Sequence, residues 1–154
     1  MFTFEESNER LLDLLPKEQY DEVMNQEYCD IECVFLGFVD TYEYLSYLIP
    51  KHYAIIDLGC AYNAQCYFFK NHKIYIAVDE SKRLKRFQSD NCIIYINDID
   101  NFILNDLPIL QFNLKETFAI CNYVPMKDYN LIKQTFDNLY IYYPHGSEKQ
   151  LLQI

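Results

Sequence analysis

The chain contains no tryptophan, and glycine and histidine occur only three times each among 154 residues. No apolar stretch reaches about 18 residues without a charge or strong polar group, which argues against a membrane span. The start, MFTFEESNERLL, is acidic and lacks a basic leader joined to an apolar region, so no signal peptide is expected. No internal repeat or low-complexity tract occurs, and no nucleophile-elbow, P-loop lysine or paired-metal pattern. His52, His72 and His145 are scattered, and Cys29-x3-Cys33 lacks the second pair that would complete a structural zinc site. Nothing marks export, so the six cysteines at 29, 33, 60, 66, 92 and 121 are not expected to form a disulfide framework. Cys60, Cys92 and Cys121 lie in or beside predicted strands, where they suit the role of small buried hydrophobes. The expected location is the cytoplasm.

What is present describes a folded domain. Hydrophobic residues make up 51% of the chain, so disorder is not expected. Fifteen tyrosines and eleven phenylalanines supply a core rich in flat rings. The formal net charge is −10, and its distribution is uneven. Residues 1–50 carry 12 acidic and 2 basic groups, whereas residues 51–154 carry 11 of each. An acidic third repels phosphate backbones at long range, which disfavours nucleic acid and makes this segment a candidate surface for a protein partner. The densest basic cluster, Lys82, Arg83, Lys85 and Arg86, reads either as a solvated helix face or as a contact surface.

The pattern changes near residue 50. Before it, Thr3-x-x-Glu6 resembles a capping box for a helix over about 4–15, and Pro16 separates this from a second helix over 17–28. The stretch 33–49 is open between a strand and a buried helical turn at CVFLGFV, with helix from Thr41 to the stop at Pro50. Residues 1–50 are therefore expected to form an acidic helical extension packed on the core, with its acid facing water or a partner. After residue 50, strands are predicted near 53–57, 74–78, 92–96, 117–121 and 139–143, with helices near 63–70, 81–88, 99–106 and 127–137. Strand and helix alternating at this length predict an α/β fold, an open doubly wound, mostly parallel sheet over 51–154.

The chemistry concentrates in residues 54–79, AIIDLGCAYNAQCYFFKNHKIYIAVD. One apolar run ends at Asp57 and Gly59, and a second ends at Asp79, 20 residues after Gly59. This outlines a β-turn-α-β unit with a carboxylate at the end of each strand, on the edge where ligands bind. Gly59 allows the close turn, and the amides of 59–65 are expected to point into the crevice. Asp57 beside them suits an ammonium better than a diphosphate. Asp79 is placed to accept both hydroxyl hydrogens of a ribose. After the third strand, Asp98 is placed to accept from an adenine amino group, with the Ile99 amide available to a ring nitrogen.

On these residues the chain resembles the class I S-adenosylmethionine-dependent methyltransferases, a Rossmann-like family, over about residues 50–144. Ile55-Ile56-Asp57-Leu58-Gly59-Cys60-Ala61-Tyr62-Asn63 is similar to their first motif, Val78-Asp79 to their second-strand acid, and Asn97-Asp98-Ile99 to their adenine-side motif. The resemblance implies S-adenosyl-L-methionine as cofactor. Asp57 and the 59–63 backbone, Gly59, Ala61, Tyr62 and Asn63, would hold the methionine portion, Asp79 the ribose, and Asp98 with Ile99 the adenine. Three departures stand out. Ala61 and Asn63 occupy positions where the family usually has glycine, which suits Ala61 only if its φ is negative. Tyr62 is bulky at the expected pocket mouth, where it would stack on a ligand or fill the space. Only eleven residues follow Tyr143, so the sheet is expected to stop at about five strands, without the family's last two.

Methyl transfer depends mostly on alignment and desolvation, so an acid-base residue is hard to see in sequence. Asn122, after the fourth strand, is the candidate to orient an acceptor amine, or else an ordinary turn residue. The family's order of Asn or Asp, two prolines and an aromatic is not matched by Asn122-Tyr-Val-Pro125. His145, after the fifth strand, is the candidate base, or else an exposed turn residue. The leading expectation is a small methyltransferase. The alternative is an inactive methyltransferase-like chain that works as a binding or interaction module. A dinucleotide oxidoreductase is weaker, because Asp57 stands where a pyrophosphate would lie.

Overall fold

The computed structural model describes residues 4–25, 31–145 and 150–154. Three helices come first: α1 (Phe4–Leu14), α2 (Lys17–Met24) and α3 (Ile31–Leu48). Pro16 stands at the N-cap of α2, where its missing N–H costs nothing. Thr3 of the expected capping box and the end of the second predicted helix lie outside the described residues. The stretch that was open between strand and helix is helical throughout in α3. Val39, Tyr42, Leu45 and Ile49 are buried at spacings of three to four, one apolar stripe facing the sheet. The acid of this region does not all face water. Glu43 is buried in α3, and its carboxylate meets Arg10 Nε of α1 at 2.7 Å.

The sheet runs β1 (Ala54–Leu58), β2 (Ile74–Asp79), β3 (Cys92–Ile96), β4 (Thr117–Asn122), β5 (Asn138–Tyr142) and β6 (Gln150–Gln153). Their order across the sheet is β3-β2-β1-β4-β5-β6, and the first five are parallel. β1 and β4 bury every residue, which is why both read as nearly unbroken apolar runs. Five strands were expected, and the chain's end adds a sixth. β6 returns antiparallel along β5, pairing Tyr142 with Gln150 and Leu139 with Gln153. An antiparallel return needs only a short turn, not a crossover helix, so few residues suffice.

Between the strands the helices are shorter than the sequence suggests. Ala64–Phe69 forms a 3₁₀ helix with all six residues buried. After β3, α4 (Ile99–Asn101) widens into a π-helical turn, Phe102–Asp106, and then α5 (Leu107–Leu110). Pro108, which has no N–H to donate, sits just after that widening. The last crossover holds α6 (Asn130–Thr135).

The predicted helix over 81–88 is absent. Phe87 is fully buried with its amide on the Tyr62 carbonyl at 2.9 Å, and the Arg86 guanidinium turns inward onto carbonyls of Ala61, Ser81 and Leu84. These ties hold the segment out of the helix its residues favour. Strand alternation feeds two cores. Ile55, Tyr75 and Phe118 pack with Leu11, Val23 and Leu45 of the helical extension. Ile56, Val78 and Leu139 pack on the other face with Phe102 and Ile132.

Candidate functional site

Strand order reverses between β1 and β4, and in open parallel sheets that switch point opens a crevice at the carboxyl ends of the strands. Asp57 pairs with Ile120, so Gly59 and Asn122 leave the sheet at the same level. Asp79 pairs with Ile96, bringing the ends of β2 and β3 alongside. A cavity of about 540 Å³ lies over these ends. It is lined by Gly59 and Ala61 after β1, Asp79 and Glu80 after β2, Asn97–Asp100 after β3, and Tyr123–Asp128 after β4. A second cavity of about 200 Å³ lies on the side of the N-terminal helices and shares Gly59, Ala61 and Tyr123 with the first.

The loop after β1 is built from strained backbone. Gly59 has φ +89°, and a Cβ there would run into Cγ2 of Val124. Ala61 has φ +49° and Asn63 φ +66°, so the negative φ that would suit alanine is not what the loop adopts. Three of the loop amides are turned into the protein. Gly59 N and Cys60 N both donate to the Val78 carbonyl, at 2.7 and 3.0 Å, and Asn63 N donates to Cys60 O at 2.9 Å. Tyr62 is buried in the helical-side core and Asn63 is fully buried, its Nδ2 donating to Phe87 O at 3.0 Å. Neither lines either of these two cavities, so Tyr62 neither plugs nor stacks at their mouths.

Asp57 lies beneath the crevice, fully buried. Tyr75 Oη and Gln65 Nε2 donate to its Oδ2, the latter at 2.8 Å, while Oδ1 has no partner. Burial pushes its pKa up from the usual 3.8 to about 6; the two hydrogen bonds offset only part of that, and nearby Asp79 adds to the rise. Gln65 lines the small cavity and stands between it and this carboxyl.

Asp79 does reach the large cavity, but with company. Arg86 Nη2 and Ser81 N both donate to Oδ2, the latter at 3.2 Å, so only Oδ1 is uncommitted. Asp98 N-caps α4, its Oδ1 accepting from Asn101 N at 2.8 Å. Ile99 follows it in the lining. Asp79, Glu80, Asp98, Asp100 and Asp128 set five acids in this wall against Lys127.

Asn122 is only 5% exposed and lines the small cavity. Burial pushes the Tyr42 hydroxyl well above its ordinary pKa, and a side-chain hydrogen-bonding interaction with Asn122 offsets part of that rise. Tyr123 holds φ +60°, rare for a bulky residue, and stacks edge-on with Tyr142 and Tyr143. His145 is exposed, lines neither cavity, and approaches them only through its ring contact with Tyr143.

The structure thus gathers Gly59, Ala61, Asp79, Asp98 and Ile99 around one cavity and Asn122 in the next. It sets Asp57, Tyr62 and Asn63 in the interior and His145 outside. Sequence reasoning missed Arg86, counted there with a basic surface, and Gln65, Tyr42 and Tyr123. Only Arg86 carried a signal, as a cation seven residues beyond a strand-end acid.

No family model and no curated protein sequence matches the chain. Among solved structures it is similar to the N-terminal domain of EvdMO1 with SAH bound, at 14% identity and a TM-score of 0.52, over 92% of this chain. The chain spans 65% of that structure's length. At this identity the likeness concerns the fold alone, an open, mostly parallel, Rossmann-like sheet.

Proposed function

We propose that the protein binds S-adenosyl-L-methionine in the 540 Å³ cavity and acts as a small methyltransferase. The observation that carries this reading is the convergence of Asp79, Asp98 and Ile99 on one strongly acidic cavity beside the β1 loop. The lining fits the ligand's chemistry. Acid walls favour a sulfonium and an ammonium, and the amides of Gly59, Cys60 and Asn63, already committed to carbonyls, disfavour a diphosphate. SAH, bound in the similar structure, is this cofactor without its methyl group. Asp79 Oδ1 accepts a ribose hydroxyl, one contact rather than two, with Arg86 fixing the carboxylate from behind. Asp98 Oδ2 and the first amides of α4 face the adenine. Ile99, Leu131 and Ile132 exclude water along the apolar wall. When bound, the cofactor supplies an electrophilic methyl group; the chain's own task is alignment in a dry site, with Asn122 orienting the acceptor.

A second reading, an inactive interaction module of the same fold, is favoured by the sealing of Asp57 and by Arg86 on Asp79. Calorimetric titration with S-adenosylmethionine, SAH and NAD separates the two. Binding of the first two but not NAD is expected; no heat with any of the three leaves the second reading. Asp79→Asn, which keeps an acceptor for Arg86 but removes its counter-charge, is expected to lower the melting temperature without unfolding the chain and to weaken SAH binding by about 1.5–3 kcal/mol, the scale of hydrogen bonds to charged groups. Unaltered affinity removes Asp79 from the site.

A further inference from the structure

The segment after β1 is tied to the start of β3 by a seam that the cofactor reading does not use. Cys66 N donates to Asn63 O at 3.1 Å, and Asn63 Nδ2 reaches across the seam to Phe87 O at 3.0 Å and to Cys92 Sγ at 3.3 Å. Farther along, Tyr67 Oη donates to Gln88 O at 2.8 Å and Asn91 Nδ2 to Phe69 O at 2.9 Å. The 3₁₀ helix Ala64–Phe69 is thereby laid along residues 87–92. Cys66, from this helix, and Cys92, from the first position of β3, face each other across the seam. Both are buried free thiols, and their side chains share a hydrogen bond. Two thiols in such contact need only a small approach to reach the separation a disulfide spans. We propose that Cys66 and Cys92 are a redox pair that a hydroperoxide closes into a disulfide, locking the 3₁₀ helix onto β3.

The two sulfurs are not equivalent. Cys92 Sγ accepts from the Cys66 thiol and from Asn63 Nδ2, which hold its pKa below the ordinary thiol value, whereas burial pushes the Cys66 thiol up. Cys92 is therefore the nucleophile and Cys66 the resolving thiol. The Cys92 thiolate attacks one peroxide oxygen and the O–O bond breaks. The other oxygen leaves as hydroxide, takes up the proton Cys92 had released, and becomes water, leaving a sulfenic acid on Cys92. The Cys66 sulfur then attacks the Cys92 sulfur, the S–O bond breaks, and the hydroxyl departs with the Cys66 proton as a second water. Two thiols lose two hydrogens and two electrons, and one peroxide becomes two waters. Cys60, also buried, turns its thiol instead to the Ala61 carbonyl, at 3.7 Å. Burial of both sulfurs restricts the oxidant to a molecule near the size of water, admitted by local opening of the seam. The proposal stands whether or not the cofactor reading holds.

The test is oxidation of the full, reduced chain by hydrogen peroxide, followed by acid quenching, alkylation of the remaining thiols in denaturant and peptide mass mapping. Under native conditions a Cys66–Cys92 bond is expected as the main product, about tenfold or more above any other pairing. In denaturant that preference is expected to vanish, because shorter loops such as that between Cys60 and Cys66 then close more readily. Cys66→Ser removes the resolving thiol and keeps a donor to Cys92. Peroxide is then expected to leave a sulfenic acid on Cys92 that dimedone labels, and Cys92→Ala is expected to show no such label on Cys66. A natively oxidised chain without the Cys66–Cys92 bond, with that bond no commoner than other pairings, or with the same yield of it in denaturant overturns the proposal. Dimedone on Cys66 in Cys92→Ala, at the level found on Cys92 in Cys66→Ser, overturns the assigned roles. The mapping on the parent chain decides the pairing even if neither variant folds.

Discussion

Asp57 and Asp79 end neighbouring parallel strands, yet the fold gives them opposite surroundings. Asp57 is fully buried, held by two neutral donors, Gln65 and Tyr75, with one oxygen unpartnered. Asp79 keeps about a sixth of its side chain exposed and faces the Arg86 guanidinium and the large cavity. A carboxylate at a strand end is a position, not a role. Neutral partners in a dry place make a carboxyl that clings to its proton, whereas a cation beside an open cavity holds a carboxylate in a fixed orientation. On the proposed reading, the difference puts Asp57 in the framework and Asp79 beside the ligand.

The largest expected effect comes from breaking the Asp79 side of this contrast. Arg86→Met removes the partner of Asp79 and the donor to the Ala61, Ser81 and Leu84 carbonyls. A cost of about 3–5 kcal/mol in denaturant unfolding is expected, as for other buried pairs deprived of one member. A loss under ~1 kcal/mol would make Arg86 a surface residue in energetic terms.

The Asp57 side is read by pH. Folded Asp57 holds its proton to about pH 6 and the unfolded chain only to about 3.8. The folded state therefore binds more protons between these values. The resulting stabilisation is full below pH 3.8 and is lost as pH rises through 6, on the order of 3 kcal/mol from this group. Asp57→Asn is expected to remove that slope, so the gap in stability between variant and parent widens from pH 4 to pH 7. A constant gap across this window would show an ordinary carboxyl at position 57.

The loop joining the two acids gives smaller effects. Gly59→Ala meets both a positive φ and the Val124 side chain, and is expected to cost ~2 kcal/mol and to disturb the cavity wall. Ala61→Gly works the other way. Relief of the left-handed strain at φ +49° outweighs the entropy of the added glycine, and a gain of up to ~1 kcal/mol in thermal unfolding is expected. A destabilised Ala61→Gly variant would mean that the alanine methyl packs favourably in spite of its backbone.

Much of the fold was legible because buried parallel strands leave a local trace. Ala54–Leu58 and Thr117–Asn122 are buried on both faces, and an apolar run with a turn residue at its end is hard to mistake. The segment 81–88 misled for the opposite reason. Its residues favour a helix locally, but Phe87 and Arg86 find better partners in the distant Tyr62 and Ala61 and in the strand-end Asp79. β6 was invisible because four residues, Gln150–Gln153, become a strand only when β5 offers an open edge.

For the candidate site, the spacing of acids along the chain was enough to place Asp79, Asp98 and Ile99 at one edge, since parallel crossovers return every strand end to the same side. Which way each side chain turns was beyond the spacing. The inward turn of Tyr62 and Asn63 arises from contacts with Phe87, across the intervening strand, while the cover over Asp57 and the guanidinium on Asp79 come from residues nearer in sequence whose side-chain direction is set only by the packed fold. Periodicity and strand-end position are local properties written in neighbouring residues. Burial, hydrogen-bond partners and charge environment exist only once the chain has brought its remote parts together.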